Sequence, residues 1–172
     1  MRKYFYFAYG SNMDLGQMSH RCPAATVVAA HTVVDHRRYQ IDSRGFATIE
    51  PELDAAVCGV LWQVTDQCVE SLDRYEGVFF GCYRPTRVEV LRPDGNKTKA
   101  LTYASGFNFK QDRGQRNRPN PGYQENILDW SSQHGHPREY QRELFGWIPA
   151  SYLPLWSKLT GRGAETKKET GL

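Results

Sequence analysis

The chain has 172 residues and 22 Lys plus Arg against 19 Asp plus Glu, a net charge of +3. That length suits one domain with one core, read as residues 1–160, and so mild a charge does not argue for nucleic acid or an anionic membrane. An apolar share of 40% with 13% aromatic residues (10 Tyr, 8 Phe, 4 Trp) disfavours disordered, collagen-like and coiled-coil chains.

Residues 4–9 (YFYFAY) are β-prone and apolar on both alternating faces, which predicts a strand buried on two sides. The run is too short for a secretory h-region, and no segment reaches the ~18 apolar residues of a membrane span, so the expected location is the cytoplasm. Gly10, Ser11 and Asn12 break the strand. Ser11 followed by Asp14 reads as a capping box for a short helix with Leu15, Met18 and Cys22 on its apolar stripe. Strand-like segments follow at 24–34, 38–42, 46–49 and 56–64. A helix starts near Thr65 or Asp66, buries Cys68, Leu72 and Tyr75, and stops at Gly77. Segments 83–91 and 98–104 flank a Pro93-Asp94-Gly95-Asn96 turn and read as a hairpin. The polar, basic stretch 106–122 reads as a long loop. One helix then opens at Pro121 with Ile127, Leu128 and Trp130 inward and ends at Gly135. Another opens at Pro137 with Tyr140, Leu144 and Trp147 inward. A short helix is expected after Pro154, and residues 161–172 form a charged tail. The pattern is α+β, with about six strands and inserted or appended helices; a small barrel fits it.

Cys22, Cys58, Cys68 and Cys82 form no C-x-x-C pair, and His134 and His136 flank Gly135 in a loop. Both are read as structural, with no metal site.

Two places could carry chemistry. At 9–12 (YGSN) a glycine turn enters a helix, whose first N–H groups lack internal partners and favour an anion or oxyanion. An ordinary capped turn has the same spacing. The second place is Glu76, at the end of a helix where the dipole favours cations. Asp73 and Glu70 would raise its pKa, burial would raise it further, and Arg74 would oppose this if turned inward. A solvated surface glutamate is the competing reading.

The segments YFAYGSNM (6–13), LDRYEGV (72–78), YRPTRVEV (83–90), PGYQENI (121–127) and HPREYQREL (136–144) occur in that order. Together they resemble the γ-glutamylcyclotransferase (AIG2-like) family over about residues 4–146. The resemblance implies a mixed six-stranded barrel with flanking helices, no cofactor, and a small γ-glutamyl substrate. The implied reaction is intramolecular: the substrate's free α-amine attacks its own γ-amide carbonyl, giving 5-oxoproline and a released amine or amino acid. By this likeness Glu76 matches the general base and acid. Tyr6, Phe7, Ala8, Tyr9, Gly10, Ser11 and Asn12 match the stretch that cradles the γ-glutamyl group. Tyr123 matches a tyrosine closing over it, and Tyr103 a lining tyrosine. Alternatives are γ-glutamylamines, a γ-glutamyl-protected natural product or an ε-lysine adduct as substrate, or a non-catalytic binding module. No nucleic-acid or membrane partner is expected, and a homodimer is left open.

Lys110, Arg113, Arg116 and Arg118 oppose only Asp112 in the long loop. A solvated loop and a lid that attracts substrate carboxylates both fit this charge.

Overall fold

The computed structural model describes residues 2–109 and 116–152. Five strands form a closed barrel: β1 (Lys3–Ala8), β2 (Thr26–Ile41), β3 (Ala47–Thr65), β4 (Tyr83–Leu91) and β5 (Lys97–Ser105), in the order β1-β3-β2-β4-β5. All neighbours are antiparallel except β1 and β5, which run parallel through Tyr6 and Leu101 and close the barrel. Among the described residues four helices flank it: α1 (Leu15–Arg21), α2 (Asp66–Tyr75), α3 (Tyr123–Gln133) and α4 (Arg138–Phe145). None of the described helices is long and apolar enough to cross a membrane.

The strand count corrects the sequence expectation of about six. The segments 24–34 and 38–42 are one strand, as are 46–49 and 56–64. The polar residues between them mark a bulge, not an end. Pairing shifts register between Asp35 and Arg37, His36 takes a positive φ of 58°, and Pro51, which has no N–H to donate, stands opposite Arg37. A bulge bends a ribbon. Beyond the bend, Tyr39, Ile41 and Ile49 are buried again, and the β2–β3 turn reaches the mouth of the barrel.

Local chemistry explains most element ends. Asp14, not Ser11, caps α1: its carboxylate accepts from Gln17 N at 2.5 Å. Ser11–Met13 instead form a separate 3-10 turn. Met18 and Cys22 are buried as expected, but Leu15, the first residue of α1, is 54% exposed. Thr65 caps α2 by accepting from Cys68 N. Cys68 and Leu72 pack inward, whereas Tyr75 is exposed and lies under Arg21. Gly77, at φ 62°, ends α2 in the left-handed conformation that glycine adopts without a Cβ penalty.

Gly59 is fixed by space. A Cβ there would lie 2.4 Å from the Ala8 carbonyl oxygen and 2.7 Å from the Phe7 ring, so β1 and β3 could not pack as they do. The four cysteines are free thiols, and among the described residues no His, Cys, Asp or Glu cluster is arranged to hold a metal ion. His134 Nε2 donates to the Met13 carbonyl at 2.7 Å, and His136 packs against His31. Lys110, Asp112 and Arg113 of the basic loop, the helix expected after Pro154 and the charged tail lie outside the described residues.

Candidate active site

A cleft of about 450 Å³ opens at one end of the barrel. Six regions build it: β1 with its turn into α1, α1 itself through Gln17 and Arg21, the end of α2, the β2–β3 turn, strands β4 and β5, and α3. Of the residues singled out from sequence, Tyr6, Tyr9, Gly10, Ser11, Asn12, Glu76, Tyr103 and Tyr123 all line it. Phe7 and Ala8 do not. Phe7 is fully buried, stacked with Tyr9 and pressed on Gly59, and Ala8 is buried where β1 pairs with Val60.

Glu76 follows the last residue of α2, and its backbone N–H still bonds to the Leu72 carbonyl at 2.8 Å. The helix therefore holds its side chain at the cleft wall. Oε1 accepts from Asn12 Nδ2 at 3.0 Å, and the same nitrogen donates to the Tyr6 hydroxyl at 2.8 Å. Asn12 Oδ1 in turn accepts from Arg21 at 2.5 Å. Burial pushes the Glu76 carboxyl up to about 7, while Arg21, the Asn12 hydrogen bond and Arg44 act in the opposite sense. The cause differs from the sequence expectation. Glu70 and Arg74 are exposed, and Asp73 is turned to accept from the Tyr103 hydroxyl at 2.6 Å; the opposing cations are Arg21 and Arg44.

The cleft tyrosines differ in what their hydroxyls do. Tyr9 donates to the Tyr103 carbonyl at 2.5 Å, Tyr103 to Asp73, and Tyr83 to the Ala47 carbonyl at 2.8 Å. The Tyr6 and Tyr123 oxygens accept, from Asn12 and from Ala47 N at 3.3 Å, and neither hydroxyl donates to a described residue. Burial raises the pKa of all five, so they face the cleft as neutral phenols. Among these five buried or half-buried tyrosines, Tyr6 and Tyr123 are thus the two with a proton left to offer a ligand; Tyr75, at the cleft's outer edge, is exposed.

At the turn, Ser11 and Asn12 open a 3-10 helix, so their N–H groups have no partner within it. A Cβ on Gly10 would stand 3.4 Å from the Tyr123 hydroxyl and 3.6 Å from Ala47 Cβ, narrowing the cleft where the two sides approach.

Sequence reasoning missed Arg21, Arg44, Tyr83 and Asp42. Arg21 reads as an ordinary cation in the last turn of a helix. Asp42 and Arg44 read as turn residues. In fact Asp42 is fully buried and accepts from Arg44, Phe46 N and Ser105 Oγ. Arg44 is held over the rings of Tyr83 and Phe109. The available signal was an Asp-x-Arg-Gly turn between two strands, a common Asx-turn pattern. Arg116 does not cover the cleft; it lies over Trp147 and donates to the Gly146 carbonyl at 2.8 Å.

Comparison with known proteins agrees with this architecture. The model of the AIG2-like family matches residues 56–144. A bovine protein named gamma-glutamylcyclotransferase is 29% identical over 161 residues, covering 87% of this chain and 81% of the relative. The human protein of that name is 28% identical over 158 residues with the same coverage. A solved structure of a gamma-glutamyl cyclotransferase superimposes with a TM-score of 0.75 at 24% identity, covering 91% of this chain and 99% of that one. With that barrel, and with a family match across half its length, the chain belongs to the AIG2-like family.

Proposed function

We propose that this chain is a γ-glutamylcyclotransferase in which Glu76 is the general base and then the general acid. The observation that carries the reading is the Glu76 carboxyl, raised by burial to about 7, in the wall of a small-molecule cleft opposite a glycine turn. The named relatives support the same activity.

The chemistry needs little more. The substrate's α-amine must lose a proton as it attacks the γ-carbonyl carbon. An amine of pKa ~8 and an ordinary carboxylate of ~4.3 make that transfer uphill by about 5 kcal/mol. A carboxylate near 7 lowers this to about 1–2 kcal/mol. A new C–N bond closes the five-membered ring, and the amide C–N bond breaks as Glu76 returns the proton to the departing nitrogen. The products are 5-oxoproline and the free amine or amino acid. Nucleophile and electrophile belong to one molecule, so the protein's task is to fold it; well-oriented ring closures reach effective molarities of ~10⁵–10⁸ M. The N–H groups of Ser11 and Asn12, with the hydroxyls of Tyr6 and Tyr123, supply donors for the substrate carboxylate or the developing oxyanion.

The γ-glutamyl amino acids and dipeptides are the preferred substrates, with γ-glutamylamines and γ-glutamyl-protected compounds as alternatives. Release of 5-oxoproline across a panel of all three classes tests the function and ranks the leaving groups. Binding of these compounds with no 5-oxoproline from any of them would instead make the chain a binding module.

A further inference from the structure

We infer that Arg21 is a positioning residue for this reaction: it fixes the orientation of the Asn12 amide, and through it that of the Glu76 carboxyl. The inference rests on the cyclotransferase reading above.

The Asn12 side chain is buried at 3% exposure, and its two ends face different partners. The oxygen meets the Arg21 guanidinium, and the nitrogen meets the Tyr6 hydroxyl and Glu76 Oε1. A guanidinium has donors only. Turning the amide over would set its NH₂ against that guanidinium and its oxygen against Glu76. Arg21 therefore selects the one orientation in which both amide hydrogens serve the cleft. Oε1 of Glu76 then always meets a donor, which biases a carried proton to Oε2, so one oxygen both takes and returns it.

Two further observations set Arg21 apart from Arg44. Arg44 is paired with buried Asp42, whereas no carboxylate among the described residues pairs with Arg21. Its guanidinium is held by the Tyr75 ring, 4.8 Å away, and its carbonyl accepts from Ser71 Oγ at 2.7 Å, tying the end of α1 to α2. The cations acting on Glu76 are these two; around it stand the neutral hydroxyls of Tyr6, Tyr9, Tyr83, Tyr103 and Tyr123, and Tyr75 and the Cys82 thiol line the same cleft. Removing Arg21 removes a positive charge that favours the carboxylate, so Glu76 should titrate higher still.

The test uses the full chain as wild type, Arg21→Gln and Arg21→Lys. The Glu76 carboxyl is titrated by carbon-13 NMR, assigned by its loss in Glu76→Gln, alongside the pH profile of 5-oxoproline release. In Arg21→Gln the titration should rise by roughly one pH unit. kcat should fall by ~10-fold with KM changed by less than about threefold. Arg21→Lys should restore the titration and most of kcat, because an ammonium, like a guanidinium, only donates to the Asn12 oxygen. A folded Arg21→Gln with unchanged titration and kcat overturns the inference. So does a rise in KM alone, which would make Arg21 a substrate-carboxylate contact. Should Arg21→Gln not fold, Arg21→Met is compared with Arg21→Lys: equal kcat and titration in the two overturn the inference, and a loss confined to Arg21→Met supports it. If the wild type releases no 5-oxoproline, the proposed function fails, and the NMR titration still decides whether Arg21 governs Glu76.

Discussion

The Tyr103 hydroxyl donates to Asp73 Oδ1 at 2.6 Å, and Asp73 lies one helical turn before Glu76. Strand β5 is thereby tied to the end of α2, the element that presents Glu76. The Tyr103 proton is spent within the protein, in contrast to that of Tyr6. Tyr103→Phe should therefore cost about 1–2 kcal/mol of stability in urea denaturation. Tyr6→Phe should cost more in kcat than Tyr103→Phe does. Equal losses of kcat would show that the two hydroxyls do not divide the work in this way.

Glu76 should weaken the fold at the pH where it would act. Its carboxyl titrates near 7 in the folded chain against an ordinary value of 4.5. Between those values the folded state holds the proton and the unfolded state does not, so stability falls as pH rises through this window. Glu76→Gln should then be more stable than wild type at pH 8, by up to about 3 kcal/mol, and nearly equal to it at pH 4. Denaturation at both pH values measures this. A variant less stable than wild type at pH 8 would mean that burial does not oppose the charge.

Much of this was legible in the sequence, and the misses share a cause. The hairpin at 83–104 and the helix ending at Gly77 are written in local signals, turn residues and caps, and both stand within a residue or two of expectation. The strand count was not local. Whether residues 35–37 end a strand or bulge within it depends on the partner strand, which a single segment does not reveal. Likewise Glu76 stands out because it breaks a helix-end rule, whereas Arg21 obeys one. Its importance comes from Asn12, nine residues away, and from an α2 that packs beside α1.

Gly59 gives a purely structural check. An added Cβ would collide with the Ala8 carbonyl, which belongs to the backbone and cannot rotate away. Gly59→Ala should destabilise the chain by about 2–3 kcal/mol or more, read as a drop in Tm. A variant with wild-type Tm would show that β1 and β3 are spaced differently.

Asp42 gives an electrostatic one. It is fully buried and holds Arg44 beside the cleft. Asp42→Asn leaves that cation without its counter-charge, and breaking a buried pair from one side typically costs about 3–5 kcal/mol. Because Arg44 is partly exposed, a loss at the lower end of that range is expected. The measurement is urea denaturation at neutral pH, and a change within error would mean that the pair contributes nothing net.

The most direct measurement is the rate of 5-oxoproline release from a γ-glutamyl dipeptide by wild type and by Glu76→Gln. The wild type should release it with an acid limb near pH 7, and the folded variant should lose at least ~10²-fold in kcat. Near-wild-type turnover in Glu76→Gln would contradict the account.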